Sequence, residues 1–103
     1  MTNAKKKTGN IIFDPKTGYP FKKGDAVFIR TVTMYHVGRV ESVGVDSITL
    51  LDGSWVADVG RLSEALSTGK LLEVEKAPSW LTVARGAIID IYPWVHPLPD
   101  ATK

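Results

Sequence analysis

At 103 residues, with 44% hydrophobic and 23% charged side chains, the chain has the size and composition of one folded domain, which excludes two full domains and the low-hydrophobicity, high-charge signature of disorder. Cysteine is absent, so neither a disulfide framework nor a thiolate metal site is available, and stability must come from packing or association. The net charge of +2 is small and unevenly placed. Lys5, Lys6, Lys7, Lys16, Lys22 and Lys23 precede Gly24, opposed only by Asp14, and acidic residues outnumber basic ones from there on, so the pattern is a basic arm on a mildly acidic body, read first as a solvated arm and second as a nucleic-acid contact.

No apolar run approaches the roughly 18 to 20 residues that span a bilayer, and residues 1–10 have no apolar centre of the kind a secretory leader carries. A cytoplasmic protein without membrane contact, or part of an assembly formed in the cytoplasm, is therefore expected. Residues 1–23 read as the basic arm, with a short strand or docked segment at Ile11, Ile12 and Phe13 before a turn-rich stretch. Residues 26–35 are rich in β-branched and aromatic side chains and form the strongest strand signal. A second strand over 38–43, a turn at 44–46 and a third strand over 47–51, ending at the Asp52, Gly53 turn signal, imply an antiparallel meander.

Beyond Ser54 the apolar period changes from two to about 3.6: Val59, Leu62, Ala65 and Leu66 share one helical face, with Asp58 placed to cap the first turn and Gly69 the last. Strands follow over 71–74, 80–83 and 87–92, the last two bent around Arg85 and Gly86. Residues 93–103, carrying Pro93, Pro97 and Pro99, read as an extended tail. The body, residues 24–92, is thus mainly β: a small, strongly bent antiparallel barrel with one short helix inserted after the third strand. A sandwich fits less well, since each sheet would have too few strands to cover the other.

The sequence offers no catalytic constellation, and neither an enzyme nor a bound metal or cofactor is expected. His36 and His96 lack metal-ligand spacing and read as surface or turn histidines, no serine stands in a nucleophile elbow, and Glu73 and Glu75 alternate with Leu72 and Val74 as an outer strand face would. The aromatic surplus is more informative. Trp80 or Trp55 is expected in the core, and Trp94 either against a neighbouring subunit or back over its own barrel. Arg30, in mid-strand among apolar residues, requires a partner, with Asp52, Asp58 and Asp90 as candidates.

The order of these signals resembles the Sm-like family of small barrels, or more broadly the SH3 type. Gly38 in the second strand and Asp52 after the third stand where the first Sm motif has a Gly and an acidic residue, and Val83, Ala84, Arg85, Gly86, Ala87, Ile88, Ile89 resemble the second motif. The turn residues that grip a base in RNA-binding members correspond here to Gly44 and Ile48, which cannot make those hydrogen bonds. The resemblance therefore implies ring or multi-copy assembly more than RNA recognition. The phrases around Trp55 and Trp94 are also similar to short uncharacterised bacterial and phage proteins. The expected function is a structural module that self-associates, or binds another protein, through edge strands and terminal arms, its interface formed by Ile88, Ile89, Ile91, Tyr92, Trp94 and Leu98. The alternative is a nucleic-acid-binding barrel using Lys5, Lys6, Lys7, Arg30, Arg39 and Arg85.

Overall fold

A computed structural model describes residues 15–102; Lys5, Lys6 and Lys7 and the segment expected at 11–13 lie outside the described residues. The elements are β1 (Ala26–Thr31), β2 (Tyr35–Val43), β3 (Ser47–Asp58), α1 (Leu62–Thr68), β4 (Glu73–Lys76), β5 (Leu81–Ala84), a 3₁₀ turn (Arg85–Ala87) and β6 (Ile88–Pro93). All pairings are antiparallel. The sheet order is β4-β3-β2-β1-β6, with β5 beside the first part of β3. The expected mainly-β architecture, with one short helix after the third strand, is the observed one. No pairing among the described residues joins β6 to β4 or β5, and no helix among them is long and apolar enough to cross a membrane.

Strand β1 explains the shape of the core. Val27, Phe28 and Ile29 are each at most 1% exposed, so this strand is buried on both faces and reads as a nearly continuous apolar run. One face joins Val27 and Ile29 to Val40, Ile48, Leu50 and Val83. The other joins Phe28 to Val37, Val56 and Val74, and is roofed by Val59, Ala65, Leu71 and Trp94. Tyr19 and Phe21, within the expected arm, pack against the first cluster, so the arm contributes to the core from its later half.

Several boundaries differ from expectation. The strand expected over 26–35 breaks after Thr31, because the Thr31 hydroxyl donates to the Met34 carbonyl (2.7 Å) and accepts its N–H (3.3 Å), closing a turn over Val32 and Thr33 without Gly or Pro. The third strand does not end at Asp52 and Gly53. Asp52 takes a left-handed conformation (φ 52°) inside a bulge where β2 and β3 shift register, and the ladder continues to Asp58. A Cβ on Gly53 would sit 2.9 Å from Leu81, and one on Gly38 would sit 3.1 Å from the Gly53 Cα: backbone approach, not a hairpin, is what these glycines permit.

The helix begins at Leu62 and not at Asp58, whose carboxylate instead accepts the Gly60 N–H (2.8 Å) ahead of it. Gly69 caps it as expected, with φ 79° and its N–H donating to the Ala65 carbonyl (2.8 Å). The core tryptophan is Trp94, 4% exposed, whereas Trp80 is 64% exposed and Trp55 half-buried. Trp94 can be buried because the chain beyond β6 folds back. Its indole stacks on Phe28 (5.6 Å between centroids) and its Nε1–H donates to the Pro97 carbonyl (3.3 Å). His96 meets the indole edge-on and donates from Nε2 to the Leu66 carbonyl (2.8 Å), and Thr102 Oγ1 accepts the Lys76 N–H (3.1 Å). The expected extended tail is a strap across the helix and β4, beside a cleft of about 190 Å³ lined by Leu71, Val74, Pro97 and Pro99 among others.

Candidate functional site

The expected interface residues separate into two groups. Trp94 is buried in its own chain and Leu98 packs half-buried beside it; the fold-back is the arrangement found. Ile88 and Ile91 pack partly buried against the β1 cluster and Tyr92 against the other. Ile89 is left 54% exposed, next to the point where the β1–β6 register shifts. The site that remains is the outer edge of β6, a terminal strand that among the described residues pairs with β1 alone.

This edge is held firmly from behind. Arg30 and Asp90 face each other in the ladder, and the guanidinium donates twice to the carboxylate, from Nε to Oδ1 at 3.0 Å and from Nη2 to Oδ2 at 2.6 Å. Tyr92 Oη donates to the same Oδ2 at 2.9 Å. Of the three partners the sequence offered Arg30, Asp90 is the one it meets. The Arg30 hydrogen bonds draw the Asp90 carboxyl below its ordinary value, and the bond to Asp90 pushes the Tyr92 phenol up. A forked, planar pair of this kind fixes direction as well as distance, so β6 is clamped in register on β1.

The two sheet ends differ. On β4, Glu73 and Glu75 are exposed and the Lys76 N–H is taken by Thr102 of the strap. Charged side chains and covered backbone are the usual protection of an edge strand. On β6 there is no Lys or Arg, and its one acidic residue is held by Arg30.

The arginines expected at a nucleic-acid surface each make contacts within the chain. Arg39 donates to the Gly24 carbonyl (3.1 Å). Arg85 donates to the carbonyls of Thr17 (2.8 Å) and Val45 (3.2 Å) and lies 4.4 Å over the Tyr19 ring, tying the segment before β1 to the β2–β3 turn. With Arg30 on Asp90, the three cations serve three separate structural contacts. Among the described residues no three His, Cys, Asp or Glu side chains gather as metal ligands.

His36 is not the plain surface histidine the sequence suggested. It lies opposite Ile29 and Trp55, its Nδ1 is buried without a hydrogen-bond partner, and burial lowers its pKa. Ser54, fully buried, likewise has an unpartnered hydroxyl. Alternation in the sequence hid both, because each stands in a strand beside residues that dominate the pattern. No protein-family model, curated protein or solved structure matches this chain.

Proposed function

We propose that the chain is a non-enzymatic assembly module, a small bent barrel of the Sm-like or SH3-like kind that self-associates through the outer edge of β6. The barrel reading draws on β3, which serves β5 along its first part and β4 along its last, with bulges between them that bend a strand and increase its twist. It draws also on the 3₁₀ turn that carries the chain from β5 to β6, beside β1. The observation that carries the functional reading is the apolar β6 edge, unpaired among the described residues, with Ile89 exposed. Unpaired backbone on such a strand is a template for adding another strand.

Sedimentation velocity of the full chain over a wide concentration range tests it, with Ile89→Lys run alongside. The wild type is expected to shift from monomer toward a larger species as concentration rises. The variant, altered at an exposed site, should remain monomeric and melt at the same temperature, since a charge on the edge opposes pairing. A wild type that sediments as a monomer throughout overturns the reading.

A further inference from the structure

We propose that the β6 edge pairs with β6 of a second copy of this chain, antiparallel, with the two-fold axis at Ile91. This rests on the assembly reading above and adds the partner and the register.

The ladder on the inner side of β6 dictates what its outer side presents. The Trp94 N–H donates to the Ala26 carbonyl at 2.9 Å, one step beyond the Val27–Pro93 pair. Hydrogen-bonded and non-hydrogen-bonded pairs alternate along an antiparallel ladder. Phe28–Tyr92 and Arg30–Asp90 are therefore hydrogen-bonded pairs, and the peptide groups between them turn outward. The free edge offers the carbonyls of Ile89, Ile91 and Pro93 together with the N–H of Ile91, and Pro93 has no N–H to add.

Three antiparallel registers let the Ile91 N–H of each copy reach an outward carbonyl of the other. Setting Ile91 against Ile89 places the two Asp90 carboxylates directly opposite, and like charges facing across strands are destabilising. Setting Ile91 against Pro93 shortens the overlap to residues 91–93 and leaves the exposed Ile89 without a partner strand. Setting Ile91 against Ile91 satisfies the edge best: the two residues exchange both hydrogen bonds, Asp90 lies across from Tyr92 of the second copy, and Ile89 lies across from its Pro93. The shift in register beside Ile89 ends the pairing there. Such a contact is self-complementary and closes as a dimer instead of propagating. A head-to-tail contact through β4 would meet a charged edge partly taken by Thr102, and one through β5 would offer only the four residues Leu81–Ala84.

Because the chain contains no cysteine, introduced cysteines report without background. Ile89→Cys and Pro93→Cys chains, both altered at exposed positions, are mixed in equal amounts, oxidised mildly and weighed intact, with circular dichroism confirming that each is folded. Facing residues of a hydrogen-bonded antiparallel pair have Cα atoms about 5.5 Å apart, within the roughly 4.4 to 6.8 Å a disulfide accepts. The mixed 89–93 disulfide should therefore form in large excess over its share from random collision. Dimers joined mainly by 89–89 or 93–93 disulfides overturn the register and leave self-association standing, as does a wild-type dimer from which neither folded variant cross-links. A wild type that stays monomeric overturns both.

Discussion

Trp94 carries more of the fold than its place beyond the last strand suggests. Its indole lies against Phe28 in the centre of one core cluster, and truncation of a buried aromatic typically costs about 3 to 5 kcal/mol through lost burial and the cavity left behind. Trp94→Ala is expected to lower stability by an amount in that range, measured by urea unfolding, and to free the strap. His36 supplies a second test. Its pKa lies below the ordinary 6.5 because burial disfavours the imidazolium. The neutral form is the one the folded state prefers, so this contribution to stability is fully present above the unfolded value and is lost as pH falls through it. The slope is at most about 1.4 kcal/mol per pH unit, the value for one proton. Urea midpoints between pH 7.5 and 5.5 should decline for the wild type and flatten for His36→Gln. Asp90 acts lower on the scale: its carboxyl, drawn down from 3.8 by Arg30, adds a loss of stability only as pH falls below that ordinary value.

At the scale of elements, β-branched and aromatic runs made the strands legible in the sequence, and the apolar face Val59, Leu62, Ala65 and Leu66 made the helix legible. All four residues of that face pack into one core cluster. What could not be read were contacts made by backbone at a distance. Asp52 and Gly53 carry the usual signal of a hairpin, yet their neighbours are Gly38 and Leu81, so the same residues serve a bulge. The turn at Val32 and Thr33 has no turn-forming residue except through the Thr31 side chain. Trp94 and Leu98 were legible as apolar residues in need of cover, and the proline spacing gave no sign that the covering surface was their own domain. Of the candidate site, the β6 strand was readable from Ile88 to Tyr92, whereas the clamp by Arg30 and the difference between the two sheet edges depend on register. Gly69 links helix and strap: a Cβ there would lie 2.6 Å from the His96 ring, on a residue already at φ 79°. Gly69→Ala is expected to cost at least the roughly 1 to 2 kcal/mol of a left-handed L-residue, and thermal unfolding would register it.

For the molecule as a whole, the sheet is roofed on one side by helix and strap, and among the described residues the β4 edge is charged and partly covered while the β6 edge is unpaired. The strap bears on how assembly is studied. Removing residues from Pro93 onward would take away Trp94 and expose the Phe28 cluster, so any self-association of such a truncated chain reports a broken core and not the native edge. Point changes at Ile89 leave the core intact and isolate the edge. The most direct measurement is hydrogen exchange of the Ile91 amide, resolved by NMR, as a function of protein concentration. That N–H points away from β1, whereas the amides of Asp90 and Tyr92 point into the ladder. Protection of Ile91 should rise with concentration while Asp90 and Tyr92 remain protected throughout. An Ile91 amide that exchanges freely at every concentration contradicts assembly through this edge.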